Sequence, residues 1–352
     1  MIGVLRTIHA WAGAILSLLL IVFGLTGSLL VFENDWIALK HPEARAGFAA
    51  DPAVLGAAAE RLEADHPDMR TADFGGPQLG AHKLYLGEND FGIAAPGGAT
   101  LDRWTGPART EAFIFDLHHH LLAGKTGEIV GGVAALAAVL LVLTGLIVWA
   151  PAWRATRLRV WPRSTRRGEL VSSHRNLGLI TAIPILIFCL TGAGMVFSGQ
   201  TRALLAPNAP EPPPPVVGTG DIDWPAALTA AQARFPDATL RMAGWPAGPG
   251  EPASIRLKQP GEWHPNGRTR VLIDPATSRV VQTLDAQTLT LGERAIHAIY
   301  PLHAGSVGGW LYEWVTVLSG LALAALGFVG AWSFLIKPRR KLRPGRILAK
   351  AS

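Results

Sequence analysis

Cysteine is almost absent from this chain of 352 residues: there is one, Cys189, inside an apolar run. A single thiol excludes disulfides within the chain, even in a compartment that permits them. It also excludes the Cys-x-x-Cys-His attachment of c-type haem and any iron–sulfur cluster held by several thiolates. Cys189 itself reads as a small buried apolar residue. Charge is scarce as well. Only 16% of residues are Asp, Glu, Lys or Arg, against 49% apolar, and the mean hydropathy is +0.27. That balance argues against a fully soluble protein. No glycine-rich nucleotide or flavin fingerprint is present, since Gly244–Gly250 does not open a helix in a βαβ setting.

The missing charge is concentrated in four long runs, Ala10–Phe32, Ile129–Ala150, Leu177–Phe197 and Trp310–Ile336. At about 1.5 Å per residue, about 20 residues cross the ~30 Å hydrocarbon core of a bilayer. The only charge in any run is Glu313, near one end of the last. The first run is too long for a signal-peptide core and has only Arg6 before it, so it reads as a retained span. Charge sets the orientation. Between runs two and three lie Arg154, Arg157, Arg159, Arg163, Arg166, Arg167 and Arg175 against the single acid Glu169. After run four come Lys337, Arg339, Arg340, Lys341, Arg343, Arg346 and Lys350 with no acid. Residues 34–128 and 198–309 together hold 17 basic and 23 acidic residues. Lys and Arg gather on the cytoplasmic side of membrane spans. Both termini and the loop at 152–175 are therefore expected in the cytoplasm, with both long segments outside. The net charge of +6 is a topology signal and not a nucleic-acid footprint.

An internal duplication runs through the text. His9, Gly13, Phe23, Thr26, Gly27, Val31 and Phe32 recur as His174, Gly178, Phe188, Thr191, Gly192, Val196 and Phe197. Each pair is separated by 165 positions, and seven identities at one offset mark a repeat. More loosely, Leu121 to Gly124 before run two matches Leu302 to Gly305 before run four. Both units start inside, so they are expected to be parallel repeats. Within the outside segments, 51–65 and Ala226–Phe235 read as amphipathic helices. His82–Leu86, Gly92–Ala94, Ala253–Leu257, Arg270–Asp274 and Val280–Thr283 read as strands. Pro207–Pro215 reads as an extended spacer.

The expected fold is thus a membrane, α-helical one: a four-transmembrane-helix bundle of two parallel repeats with two small α+β modules outside. Residues 1–33 form helix one and 34–117 module one. Residues 118–151 form a His-containing junction with helix two, and 152–175 the basic loop. Helix three spans 176–198, a linker 199–216 and module two 217–296. A second His-containing junction with helix four spans 297–336, and 337–352 form the basic tail.

The eleven histidines divide into two groups. His41, His66, His82 and His264 are scattered beside turn residues in the outside segments and read as ordinary surface or loop residues. His9 and His174 hold equivalent repeat positions at the inner ends of runs one and three. His118, His119 and His120 precede run two, and His297 and His303 precede run four, all outside. A lone histidine at a membrane edge is usually only interfacial, but repeat-matched pairs at both faces point to function. Imidazole is a frequent metal and haem ligand. A planar macrocycle between spans needs one imidazole on each side and small neighbours, which Gly13, Gly24, Gly27, Gly178, Gly192 and Gly194 supply. A pair near each face would set two haems in series across the bilayer. Zinc would want three or four close ligands; His118–His120 offers part of such a set outside, and nothing inside does.

At these residues the chain resembles the PepSY-associated transmembrane family, which includes periplasmic ferric-siderophore reductases of bacterial inner membranes. The resemblance rests on His9-x-Trp11-x-Gly13 with Thr26-Gly27, on Asp116-Leu117-His118 with Leu121-Leu122, and on His174 and Gly178 with Thr191-Gly192. Pro301-Leu302-His303 with Gly305 adds to it, as does the strand–turn–strand text from Gly248 to Thr277. It implies PepSY-like periplasmic modules and haem b, two per chain. His9 and His174 would ligate a cytoplasmic-side haem, and His118 and His303 a periplasmic-side one, with His297 as the reserve outer ligand. The implied activity is oxidoreductase: electron transfer to a ferric siderophore or another ferric chelate in the periplasm, releasing Fe(II). The electron donor is external, quinol or a reduced flavin. Besides substrate and donor, the expected partner is membrane lipid, with no nucleic acid. Substrate is expected in a cleft between the two modules, with Trp104, Arg109, Trp245 and Trp263 as lining candidates against the plainer reading that each packs within its own module. Two rival readings stay open. One is a membrane-anchored PepSY binding or regulatory protein without redox activity. The other is a transporter, which would want broken helices and polar groups at mid-membrane; Pro184 is present but no mid-membrane charge.

Overall fold

In hydrocarbon, backbone N–H and C=O groups have no water to bond, so an apolar run of this length closes its own ladder as a helix. In the structure, a computed structural model, the four runs form α1 (Ile2–Leu30), α5 (Gly124–Trp149), α6 (Arg167–Val196) and α10 (Gly309–Leu335). The shorter helices are α2 (Glu33–Lys40), α3 (Pro52–Asp65), α4 (Thr110–His120), α7 (Ser198–Leu205), α8 (Trp224–Arg234) and α9 (Leu291–His303). Eight strands complete the fold: β1 (Met69–Asp73), β2 (His82–Leu86), β3 (Asp90–Ala94), β4 (Thr100–Thr105), β5 (Thr239–Gly244), β6 (Ala253–Lys258), β7 (Thr269–Asp274) and β8 (Arg279–Leu284). The described residues are 1–45, 47–48, 50–156, 159–209 and 214–336. The basic tail at 337–352, Arg157 and the centre of the proline-rich spacer lie outside them.

All four long helices are long and apolar enough to cross a membrane. In the bundle α1 packs on α10 and α5, while α6 packs on α5 and α10. Each long helix therefore touches one from the other half of the chain. Between bundled helices in lipid there is little hydrophobic driving force, so close packing of small residues sets the contacts. Gly24 of α1 lies on Gly320 of α10, where any Cβ would run into the facing backbone. Ser28 bridges the same crossing, donating to Val317 O at 2.9 Å. Outward-facing Ile15, Leu18, Leu140, Ile183 and Leu318 are exposed, as lipid-facing side chains are. Exposed Trp310 and Trp314 stand at one end of the bundle and Trp153 and Trp161 at the other, the usual place of interfacial tryptophan.

The strands join in one antiparallel sheet of order β4-β3-β2-β1-β5-β6-β7-β8. Its seam is the β1–β5 pair, with Thr71 opposite Gly244, Ala72 opposite Ala243 and Asp73 opposite Met242. Two helices cover one face. Asp51 caps α3, accepting from Ala53 N and Val54 N, with Pro52 in the first turn; Asp223 caps α8, accepting from Ala226 N, with Pro225 in the first turn. Both starts follow the preference for a side-chain acceptor and then proline. Leu55, Leu62, Trp224 and Leu228 of these helices bury against Leu84, Leu240, Ile255, Leu257 and Ile273 of the strands. Gly56 lets α3 meet Pro225 of α8 closely. The expected cleft between two modules is not there, because the two strand sets hydrogen-bond edge to edge. Trp245 packs on Trp224 in the core at 4.6 Å between ring centres. Trp104 lies under the Arg109 guanidinium at 4.3 Å, and Arg109 is itself buried with Asp102 and Glu111.

The sheet stands at the end of the bundle where α1 finishes and α10 begins. The loop from α5 to α6 closes the opposite end, where Asn176 Nδ2 donates to Arg159 O at 2.8 Å and Arg167 Nε to Ser333 O at 3.0 Å. Replacing Gly24 by Val is expected to lower the thermal midpoint of the detergent-solubilised protein, with overpacking costing about 1–3 kcal/mol. Gly3→Ala, a site with nothing within 4 Å, serves as the control. Equal midpoints for the native protein and Gly24→Val would show that the helices are not in close contact.

Candidate functional site

Two histidine pairs face each other in the bundle, each with one member from each half of the chain. At the loop end, His9 of α1 meets His174 of α6, their ring centres 6.2 Å apart. His9 Nδ1 lies 3.0 Å from Thr144 Oγ1 on α5. That hydroxyl gives its one hydrogen to Leu140 O at 2.7 Å, so His9 Nδ1 must donate. His174 Nδ1 donates to Leu326 O of α10 at 3.1 Å. Beneath the rings, Gly145 and Gly330 leave room: a Cβ on either would stand 3.2 or 3.3 Å from the imidazole Cε1.

At the sheet end, His118 of α4 meets His303 of α9, again with ring centres 6.2 Å apart. Thr26 Oγ1 donates to Val22 O at 2.6 Å and accepts from His118 Nδ1 at 2.8 Å. Thr191 Oγ1 is likewise committed as a donor to Ile187 O at 2.6 Å. His303 Nδ1 therefore donates to it at 3.1 Å, and to Phe188 O at 3.0 Å. Gly27 and Gly192 sit under these rings, where a Cβ would come within 2.9 and 3.0 Å of Cε1. Phe23 and Phe188 meet the two rings edge-on. The repeated Phe, Thr and Gly are thus one cradle built twice. Burial, then the neighbouring His119 and His303, push His118 down to about 3. Burial, then His119, pushes His303 down to about 4. Both are neutral imidazoles at ordinary pH.

The four rings share one tautomer, with hydrogen on Nδ1 and a free lone pair on Nε2. Orientation of a ligating imidazole by its other nitrogen is the usual outer-shell arrangement at metal sites. The ring-centre spacing, 6.2 Å at each pair, can be set beside that of two imidazoles sharing one metal ion. A metal–imidazole bond of about 2.0–2.1 Å, plus about 1.2 Å from nitrogen to ring centre, puts two coaxial rings about 6.4 Å apart. A cavity of about 430 Å³ lies against the sheet-end pair, walled by small residues including Gly24, Gly131, Ala134, Ala138, Cys189 and Gly320. That is a common size for a cofactor site. Its rim carries Glu33, His119 and Tyr300, and Lys83 Nζ donates to Glu33 at 3.0 Å. Among the described residues no three His, Cys, Asp or Glu side chains converge as a metal cage. Each pair of imidazoles could hold a metal ion whose remaining positions a macrocycle would fill.

His297 is not brought to the sheet-end pair. It lies nearly two turns before His303 on α9 and lines a second cavity with Trp263, His264 and Arg268. His119 stacks on Phe115 at 3.9 Å, and His120 pairs with Asp116 at 2.8 Å. His41, His66 and His82 are tied to Asp102, Thr100 and the Pro96 carbonyl. Sequence reasoning missed Thr144, Gly145, Leu326 and Gly330. A signal was there: Leu25-Thr26-Gly27, Leu143-Thr144-Gly145 and Leu190-Thr191-Gly192 repeat one tripeptide, and each cradles one histidine. The fourth cradle has Val329 before Gly330, and His174 turns to a backbone carbonyl instead.

The family described as PepSY-associated TM region matches residues 6–337. No curated protein matches the chain. In ¹⁵N-histidine NMR of the protein without added ligand, His9, His118, His174 and His303 are expected to carry hydrogen on Nδ1, and Thr26→Val is expected to move the His118 signals alone. Hydrogen on Nε2 at these positions would overturn the tautomer assignment.

Proposed function

The chain belongs to the PepSY-associated transmembrane family, and from that membership and the paired imidazoles we propose that it is a haem b electron-transfer protein of a bacterial inner membrane. It reduces a ferric siderophore or another ferric chelate on the periplasmic side, with electrons from an external quinol or reduced flavin. Both termini and the basic loop are cytoplasmic, as the Lys and Arg distribution favours. The two halves are parallel repeats, and the helix and four strands in each half are PepSY-like modules in the periplasm.

The observation that carries this reading is the pair of 6.2 Å imidazole spacings with Nε2 free. His9 and His174 would hold one haem, and His118 and His303 the other. Bound there, haem b supplies one-electron redox chemistry inside a layer that ions do not cross. The chain supplies the rest. Thr26, Thr144, Thr191 and the Leu326 carbonyl fix the ring orientation and raise ligand basicity. Leu20, Ile185 and Leu323 line the sheet-end cavity with apolar surface that keeps water out. Reduction loosens the chelate because hard oxygen ligands hold Fe(III) far better than Fe(II).

Protein purified from haem-replete cells is expected to be red, with the reducible Soret and α bands of low-spin bis-imidazole haem. His9→Ala or His174→Ala should remove one haem and keep the other. His118→Ala, His303→Ala and Gly27→Val should remove the opposite one. Anaerobically reduced protein mixed with a ferric chelate should reoxidise while Fe(II) accumulates. A colourless preparation despite ample haem supply sinks the reading.

A further inference from the structure

A second cavity, of about 610 Å³, opens along the first half of α9. Its walls come from the β6–β7 connection, the turn at Ala286–Thr288 and the first half of α9. Trp263, His264, Arg268, Gln287, Arg294 and His297 are the side chains that define its chemistry.

The cavity is cationic, with Arg268 and Arg294 in its wall. Burial, then the neighbouring charges of Arg256 and Arg270, lower Arg268 from its usual range to about 10. The Arg268 Nε is buried with no partner. Arg294 spends its donors on carbonyls, Leu289 O at 3.0 Å and Gln287 O at 2.9 Å. Among the described residues none of Arg256, Lys258, Arg268, Arg270 and Arg294 forms an ion pair with a carboxylate. The one acid in the wall, Glu262, is occupied in shaping the loop. It accepts from Gln259 N at 2.9 Å, from Thr269 Oγ1 at 3.0 Å and from Arg268 N. Glu293 at the base of α9 closes the capping box with Thr290. A buried guanidinium N–H without an acceptor is costly to keep, and an anion that brought oxygen acceptors into the cavity would satisfy it.

The position matches the charge. His264, on the wall, packs against Tyr300 with ring centres 5.0 Å apart and the rings tilted by 32°. Tyr300 in turn lines the cavity of the sheet-end pair and stands one turn before His303 on α9. Two cavities thus share the α9 wall. Trp263 is 56% exposed beside the second, a flat face on which a planar ring can stack.

We propose that this second cavity is the chelate-binding site, and that it selects ferric complexes of net negative charge, carboxylate or catecholate, over neutral or cationic hydroxamate complexes. The proposal rests on the ferric-chelate reading above, yet its binding step is separable from redox chemistry. The test uses the full-length protein in detergent and redox-inert gallium(III). Binding of gallium(III) citrate, of citrate alone and of a neutral gallium(III) trihydroxamate is measured by equilibrium dialysis. Gallium citrate should bind tightest and should weaken as salt rises. Arg268→Gln and Arg294→Gln should each weaken it about tenfold, in line with loss of one charge-assisted hydrogen bond. Arg234→Gln, remote on α8, should leave it unchanged, and size-exclusion profiles report whether each variant is folded. Preference for the trihydroxamate, equal binding of bare citrate, or indifference to both arginine substitutions in folded protein would each overturn the proposal. A colourless protein that still binds gallium citrate in this way would sink the haem reading and leave the cavity assignment standing. A red protein with no such binding would do the reverse.

Discussion

A hydrogen on Nδ1, given to an oxygen of a neighbouring helix, is the interaction on which the site depends. An imidazole alone in a helical bundle can rotate and can carry its proton on either nitrogen. Here a threonine hydroxyl already committed to its own helix can only accept, and a backbone carbonyl can only accept. The proton is thereby fixed on one nitrogen and the lone pair on the other. Glycine under each ring lets the helix come near enough for that bond to form. Helix spacing, tautomer and ring separation are therefore one constraint and not three.

The rest of the fold serves this geometry. The loop-end histidines sit directly on long helices, α1 and α6, whereas the sheet-end ones are carried by short helices, α4 and α9. Those short helices need anchoring. The Thr290–Glu293 capping box starts α9. The turn after α4 holds Leu121 and Leu122 at φ 50° and 58°, left-handed backbone that side chains rarely adopt and that surrounding contacts must enforce. The sheet roofs this end of the bundle, and its seam ties the two short-helix arms to a single rigid element.

Much of this was legible in the residues and some was not. Four uninterrupted apolar runs can hardly be anything but spans, because length and absence of charge are direct physical requirements of the bilayer. His9 and His174 stood out because the duplication paired them, and His118 and His303 because the family resemblance marked them among the histidines before runs two and four. His82–Leu86 alternates cleanly and reads as a strand, and the helix at 51–65 is marked by its Asp-Pro start. By contrast β1 and β5 were not recognised, and neither was their pairing. Met69–Asp73 and Thr239–Gly244 carry no clean alternation, and pairing across about 170 residues leaves no local trace. The cleft expected between modules was an error of the same kind: edge-to-edge pairing fills the space a gap would have occupied. Thr144 was missed because its partner His9 lies 135 positions away in sequence, although the Leu-Thr-Gly tripeptide it shares with Thr26 and Thr191 was there to be read.

The seam has a consequence for the halves taken singly. Each imidazole pair draws one ring from residues before the proline-rich spacer and one from residues after it, so neither half holds a complete site. A half on its own would also expose β1 or β5 as a bare strand edge, the surface that strands use to recruit another copy. Two identical halves meeting along that edge would bring their rings together about a two-fold axis. Covalent linkage of the halves removes the concentration dependence of that encounter, and it frees the two sides of each pair to diverge, as Thr144 and Val329 have done.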